Sequence, residues 1–334
     1  MEQLGQIGYL LMPDLNTSMN LLLIVTFVLL LATIMLFLIS IGIRIHLARQ
    51  GKLAEKYENE FLPAIFAYMD DDADVEGISR MFDGIKMKYS IFEKSVIKLL
   101  KNVDGEDAVK LRKLLVVEPV FNFHLNQLKS ENEIERIKGC NYFRFTDLVN
   151  REIISVLKRL VHAENMYMSF SAASAMMASG ELSDRSYALE AYSKRRGISK
   201  MALLELFYRF IDDSRNQTEE EAIALENIIS NEDIHSGNRA LLIQCVTETN
   251  YYFMIGSLQS WLESDDSKWQ DPAVVVALIK AQRAFLNPDA LNRLNQLLNH
   301  EDEKVVKAAS EAVTELDNKI EVIDPIKPPF QTDS

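Results

Sequence analysis

Hydrophobic residues near the start of the chain form one long uninterrupted run. From Leu21 to Ile41 almost every position is Leu, Ile, Val, Phe, Met or Ala, and the 29 residues that end before Arg44 carry no charge. A helix of about 20 apolar residues crosses the roughly 30 Å hydrocarbon core of a bilayer. The pattern therefore predicts a transmembrane helix over residues 19–43.

The charges that flank this run predict its orientation. Arg44, Arg49 and Lys52 follow the run, whereas residues 1–18 contain no basic residue. Because basic residues collect on the cytoplasmic side, we expect a short extracytoplasmic N-terminus and a cytoplasmic remainder, as in a single-pass membrane protein. A cleaved signal peptide is the alternative, but its basic start and small-residue cleavage site are missing.

After Leu47 the apolar residues recur at the helical period, and no alternating strand pattern of useful length occurs. The spacing predicts an all-α protein, with a juxtamembrane and N-terminal helical part over 44–130, a repeat array over 131–318 and a disordered tail over 319–334. The predicted helices are 47–69, 75–87, 90–102, 106–115, 119–129, 132–146, 150–161, 164–178, 184–195, 199–212, 218–230, 237–249, 251–264, 272–285, 288–298 and 303–317.

A short pattern is repeated near the C-terminus. An acidic residue, two Val residues and two Ala residues recur at an offset of 31 positions. The first copy is Asp271, Val274, Val275, Ala277 and Ala281, and the second is Asp302, Val305, Val306, Ala308 and Ala312. The pattern is typical of a helix that starts at a capped turn and packs closely through small residues. Repeats of this size bury their apolar face only by stacking on neighbours, which favours a solenoid.

These residues resemble HEAT repeats. The segment 300–309, with Ala312 and Leu316 after it, follows the acidic turn, Val, basic residue and Ala-Ala pattern of that family. A second match begins at Glu135 and continues through the Ala-rich segment 169–175. The resemblance covers roughly residues 131–318, is poor between 180 and 236, and implies a HEAT-like α-solenoid behind the single transmembrane helix.

The whole arrangement is similar to a bacterial group of membrane-anchored HEAT-repeat proteins. In that group a basic stretch after the span is followed by an aromatic residue, Pro and an aliphatic helix. Here the basic stretch matches residues 49–56. The aromatic residue, Pro and aliphatic helix match residues 61–66, whose sequence is Phe-Leu-Pro-Ala-Ile-Phe. The resemblance implies a protein partner, namely a membrane glycosyltransferase of family 2 that serves exopolysaccharide assembly.

Composition excludes several classes of protein. The chain has 334 residues, a net charge of −13, 12 Gly and 2 Cys. Few Gly disfavour tight β-turns, and two Cys exclude a disulfide scaffold. Residues 1–43 carry −2, which leaves −11 for the rest, and a surface this acidic repels a nucleic-acid backbone. We therefore expect no nucleic-acid partner.

The sequence contains no recognisable set of catalytic residues. The five His are scattered, and no Cys-x-x-Cys, Gly-rich phosphate loop or Gly-x-Ser-x-Gly turn occurs. We therefore expect no enzyme activity, no cofactor and no metal site. Cys140 and Cys245 lie within apolar helical patterns, which predicts small buried residues in a reducing compartment.

Three groups of residues are candidates for partner binding, each with a structural alternative. Small hydroxyl residues at a spacing of seven allow helices to approach in a membrane, although they also bond back to their own helix. An aromatic and Met-rich helix cannot turn all of its apolar residues inward, although such residues usually fill a core. A basic cluster can meet an acidic surface, although cations at a helix C-terminus also favour the helix dipole. The three groups are Thr26, Thr33 and Ser40; Tyr167 and Met168; and Lys194, Arg195 and Arg196.

The sequence therefore favours a non-enzymatic membrane-anchored scaffold that binds and positions a partner enzyme at the cytoplasmic face, and it specifies no oligomeric state. A membrane signalling adaptor and a HEAT-fold enzyme, such as a bilin lyase-like protein, are the alternatives. An adaptor needs an extracytoplasmic sensor, for which the 18 residues before the span are short. A lyase would carry a chromophore, which an absorbance scan would detect.

Overall fold

The computed structural model describes residues 15–71, 74–146, 149–211 and 218–323, with side chains from Leu22 to Asn318. All regular secondary structure in these residues is helical, which confirms the predicted fold class at this level. Most of the predicted N-terminal segment and most of the predicted tail, residues 1–14 and 324–334, lie outside the described residues.

Sixteen α-helices and three short 3-10 helices are present in these ranges. The α-helices are α1 Leu15–Met69, α2 Val75–Arg80, α3 Lys86–Leu100, α4 Gly105–Leu115, α5 Glu118–Leu128, α6 Glu133–Phe143, α7 Arg151–Leu160, α8 Met166–Met176, α9 Leu182–Ser193, α10 Lys200–Ile211, α11 Glu219–Ser230, α12 Ser236–Glu248, α13 Ile255–Glu263, α14 Pro272–Ala284, α15 Leu291–Leu297 and α16 Glu303–Ile323. The 3-10 helices are Tyr252–Met254, Ser267–Trp269 and Pro288–Ala290.

The apolar run forms the first half of α1. The predicted transmembrane helix and the predicted helix 47–69 are one helix of 55 residues. No Pro lies between Leu15 and Leu62, and the helix continues past Pro63 to Met69. Its apolar part has a mean hydropathy of 3.1 over an 18-residue window and is not covered by the rest of the chain. The helix is thus long and apolar enough to cross a membrane.

The helices fall into two compact units, one up to Ser95 and one from Val96. The predicted boundary at 130/131 lies inside the second unit, where α5 packs against α6. At the other end of this unit, α16 continues to Ile323, into the predicted disordered tail.

Three aromatic rings form the centre of the first unit. Phe61, Phe82 and Phe92 are buried, and their ring centroids lie 5.1–5.3 Å apart. Phe61 belongs to the end of α1, so the helix that carries the apolar run also supplies part of this core. Lys88 beside it donates hydrogen bonds to the Met81 carbonyl at 2.6 Å and to the Asp83 carboxylate at 3.1 Å.

In the second unit the even-numbered helices from α6 to α16 pack in succession, each against the next. The two copies of the sequence repeat have equivalent roles in this layer. Asp271 and Asp302 accept backbone hydrogen bonds at the start of α14 and α16, respectively. Ala281 lies seven positions after Val274, Ala312 lies seven positions after Val305, and both Ala side chains are fully buried. The repeat identified in the sequence is therefore also a structural repeat.

Both cysteines lie in this unit as buried free thiols, as predicted. Burial raises the pKa of each thiol to about 12, so both remain protonated and unreactive at neutral pH.

Candidate partner-binding groove

A groove of about 910 Å³ opens on the second unit between α8, the end of α9 and α10. It lies partly in the region 180–236, where the HEAT pattern is poor. Its lining is mainly aromatic and aliphatic, with charged residues at one end. The lining residues are Arg144, Met166, Tyr167, Phe170, Tyr192, Gly197, Ser199, Met201, Ala202, Leu204, Glu205, Tyr208 and Arg209.

Large apolar side chains are exposed along this groove. Tyr167 on α8 is 79% exposed and Met201 on α10 is 72% exposed. Behind them, the rings of Phe170 and Tyr192 contact edge to face with centroids 5.9 Å apart. An exposed surface of this composition is typical of a binding site, because Tyr and Met bury a large area and Met adapts to different shapes.

The position of Tyr167 follows from the start of α8. The Asn165 side chain caps the helix and accepts hydrogen bonds from the backbone N–H groups of Tyr167 and Met168 at 2.9 and 3.3 Å. This cap fixes where the helix starts. Tyr167 points outward, whereas Met168 is fully buried with Ala172 one turn later.

The prediction that Tyr167 and Met168 share a partner-binding ridge therefore needs a correction. Tyr167 lines the groove, but Met168 is turned away from it and is part of the core. Successive residues on a helix are separated by about 100°, so Met168 lies about 100° beyond Tyr167, on the side away from Met166. Met166 and Phe170, which are four residues apart, are the α8 residues that line the groove beside Tyr167.

Two arginines and one glutamate form the charged end of the groove. Arg144 is ion-paired with Glu205, and Arg209 Nε lies 3.8 Å from the same carboxylate. Arg209 Nη1 also donates a hydrogen bond of 3.4 Å to the Arg144 carbonyl. The Nε of Arg144 is buried and has no hydrogen-bond partner among the described residues. This cluster carries a net charge of +1 in a chain whose net charge is −13.

The charges in this cluster act on each other. Burial, and then the nearby Arg144 guanidinium, lower the pKa of Arg209 to about 10, while Glu205 opposes them. Burial disfavours the charged form of any guanidinium, and the neighbouring positive charge of Arg144 adds to this effect.

The predicted basic cluster has mainly structural contacts. Lys194 ends α9 and pairs with Glu190 at 2.8 Å and Asp233 at 3.0 Å, and these carboxylates raise its pKa. Arg195 donates a hydrogen bond of 2.9 Å to the Glu164 carbonyl and lies against the Met166 sulfur. These contacts lie within the fold and favour a structural role for Lys194 and Arg195, and partner binding by the cluster stays a prediction.

Arg196 is the exposed member of the cluster, and no hydrogen bond or ion pair of its side chain occurs within the described part of the chain. It directly precedes Gly197, which lines the groove and has a φ of +73°.

The hydroxyl stripe lies along the exposed first half of α1. Thr26 and Thr33 donate hydrogen bonds of 2.7 and 2.8 Å to the carbonyls of Leu22 and Leu29 in their own helix. Ser40 is exposed on the same helix. Their contact with another membrane protein stays a prediction.

Sequence reasoning did not identify the α10 wall of the groove. Met201, Glu205 and Tyr208 are spaced by four and three residues, a pattern that places them on one helical face. This signal was available, but the apolar residues of α10 read equally well as core. Within the described ranges, no group of three or more His, Cys, Asp or Glu side chains is arranged as metal ligands.

Comparisons with known proteins add little to this description. No family model matches the chain, and no curated protein matches it. One similar solved structure is the crystal structure of an engineered protein, with 18% identity over 74% of this chain and 97% of the other, and a TM-score of 0.26. A likeness at this level carries no argument about fold or function.

Proposed function

We propose that this chain is a non-enzymatic scaffold, anchored in a bacterial inner membrane by the first half of α1, that binds a protein partner through the groove between α8 and α10. The single observation that supports this function most is the exposure of Tyr167 and Met201 along one open apolar groove. Apolar residues exposed together in this way are characteristic of protein-binding surfaces.

The proposed body of the scaffold is a HEAT-like solenoid in the cytoplasm. The succession of even-numbered helices and the structural equivalence of Asp271 and Asp302 support this arrangement. Arg44, Arg49 and Lys52 directly after the apolar run support the cytoplasmic location.

The proposed mechanism is an increase in effective concentration. A partner held on a membrane-anchored surface searches a small volume for its target, which raises the apparent affinity by roughly 10² to 10⁴ without new contacts. A membrane glycosyltransferase of polysaccharide synthesis is the specific partner that the sequence resemblance suggests, and the enzyme activity would belong to that partner.

Co-purification from membranes tests this function. The tagged full chain would be extracted in mild detergent after cross-linking, and proteins that co-elute would be quantified by mass spectrometry. We expect at least one membrane enzyme in near-stoichiometric amount with the full chain, and much less of it with a chain that lacks residues 1–43. A chain that elutes alone, or that turns over a substrate unaided, would contradict the proposal.

A further inference from the structure

We propose that the groove between α8 and α10 selects an acidic segment of the partner that also carries aromatic or large aliphatic side chains. This inference rests on the proposed function and specifies the chemistry of the partner segment. The apolar side chains of the segment lie against Tyr167, Phe170 and Met201, and one of its carboxylates pairs with Arg144 and Arg209.

The apolar part of the groove fits side chains rather than a flat surface. The lining includes the rings of Tyr167, Phe170, Tyr192 and Tyr208, with methionines on both walls. Aromatic residues and Met are enriched where a few buried side chains supply most of the binding energy. An aromatic or aliphatic side chain of the partner that enters the groove would cover Tyr167 and Met201 together.

The charged end of the groove explains the preference for an acidic segment. Among the described residues, Arg144 and Arg209 share one carboxylate, that of Glu205, so these three side chains carry one excess positive charge. Within the same residues the Nε of Arg144 has no hydrogen-bond partner. A guanidinium forms its strongest hydrogen bonds with carboxylates. One carboxylate from the partner would complete two guanidinium–carboxylate pairs.

The same charges disfavour a phosphate group. A phosphate monoester carries a charge of about −1.5 to −2 at neutral pH, which exceeds the one excess positive charge of Arg144, Arg209 and Glu205. A phosphate bound to these arginines would also lie close to the Glu205 carboxylate. The groove therefore favours a carboxylate-bearing peptide over a phosphopeptide, a phospholipid headgroup or a nucleic acid.

Selection from a peptide library tests the proposed specificity. The probe is a phage-displayed library of random peptides about 12 residues long, selected on the full chain in phosphatidylcholine nanodiscs. We expect selected peptides to combine Asp or Glu with Phe, Trp, Tyr or Leu. A selection that yields no binders, or binders without acidic residues, overturns the proposal.

Binding by groove variants locates the site. The dissociation constant of the best selected peptide would be measured by fluorescence anisotropy. We expect Tyr167→Ala and Met201→Ala each to weaken binding about tenfold, which is the size of effect found at central interface residues. The matched control is Tyr252→Ala, because Tyr252 is 57% exposed and does not line the groove. Equal affinities for all three variants and the parent chain would overturn the proposal.

A double-mutant cycle tests the carboxylate contact. A peptide whose acidic residues are replaced by their amides should bind the parent chain about tenfold more weakly, but should bind Arg209→Gln as well as the acidic peptide does. The control is Arg283→Gln, since Arg283 is likewise an ion-paired arginine, with Glu311 and Glu315 as partners, and does not line the groove. If the amide and acidic peptides bind the parent chain equally, the proposal fails. Circular dichroism checks that Arg209→Gln is folded, and Met201→Ala remains the test of the site if it is not.

Two outcomes separate this proposal from the proposed function. If Tyr167→Ala and Met201→Ala still co-purify with the membrane partner, the scaffold function stands and the groove is not its binding site. If the full chain forms a dimer that Tyr167→Ala converts to monomers, a second copy of the chain occupies the groove and the proposal of a partner segment is wrong.

Discussion

At Gly139 the backbone of α6 lies against the end of α5. A Cβ atom placed on Gly139 would lie 2.6 Å from the Leu128 nitrogen and 2.8 Å from its Cα. These are backbone atoms, which move only if the helices move apart. Gly139 is therefore required by the close approach of two helices and not by its own backbone conformation.

We expect Gly139→Ala to lower the free energy of unfolding by about 1–3 kcal/mol, the usual cost of overpacking a tight contact. Urea unfolding followed by circular dichroism would measure it on the full chain in detergent. The matched control is Gly256→Ala, because Gly256 is exposed in α13 and has open space around it. The free energy of unfolding of the control should not decrease, because a Cβ at Gly256 has open space around it. If both variants lost the same amount of unfolding free energy, the close helix contact at Gly139 would not explain the effect.

His124 on α5 is a buried titratable group. Its ring stacks on Tyr142 with centroids 4.0 Å apart, and its Nδ1 lies 2.7 Å from the Gln127 side-chain oxygen. Burial lowers the pKa of His124 to about 4, against the opposing effects of the Gln127 hydrogen bond and of Glu135. The folded protein therefore holds this imidazole neutral at a pH where the unfolded chain binds a proton.

This difference makes stability depend on pH. The unfolded imidazole, with its pKa near 6.5, takes up a proton before the folded one does, so stability is present above that pH and is lost as the pH falls toward 4. We expect the His124 contribution to fall by about 2 kcal/mol between pH 7 and pH 5. In His124→Phe the decrease over this range should be smaller by that amount. Urea midpoints at both pH values measure it, and equal decreases in both proteins would refute the assignment.

At the scale of single elements, capping residues determine where the helices start. Asp302 accepts a hydrogen bond of 2.7 Å from the Lys304 backbone N–H, and Asp271 accepts one of 2.9 Å from Ala273. Both caps open helices of the same packed layer. The acidic residues of the sequence repeat are thus explained by local hydrogen bonding as well as by solubility.

We expect Asp302→Ala to destabilise the chain by about 1 kcal/mol, the usual cost of removing a helix cap. Asp302→Ser should recover most of this loss, because a hydroxyl also accepts the N–H of the first turn. Thermal unfolding of the three chains side by side is the measurement. The control is Glu301→Ala, because the Glu301 side chain is exposed and adjacent to Asp302. If this control lost as much stability as Asp302→Ala, the cap would not explain the effect.

At the scale of the whole molecule, one chain combines an uncovered apolar helix with a folded helical body. Residues 22 to 47 of α1 are exposed throughout, although they are mostly large and apolar. Such a surface is unfavourable in water, and this helix is long and apolar enough to cross a membrane. The groove lies in the second unit, which folds around its own core.

We expect the full chain to remain in the membrane pellet after alkaline carbonate extraction, and a chain without residues 1–43 to be found in the soluble fraction. Removal of residues 1–14 alone should leave the chain in the pellet, since the apolar run stays intact. Intact mass spectrometry of the membrane-bound protein should give the full 38.1 kDa. A smaller mass, which matches a chain that starts after the apolar run, would identify a cleaved signal peptide.

The sequence by itself determined the helices, the long apolar run and the repeat, because each depends on short-range periodicity or on local hydrogen bonding. The Asp271 and Asp302 repeat could be found in the sequence for that reason. The tertiary structure decided which apolar residues remain exposed. Met168 and Met201 look equivalent in the sequence, yet one is fully buried and the other is 72% exposed. Exposure depends on which helices pack on each face, and those contacts join residues far apart in the chain.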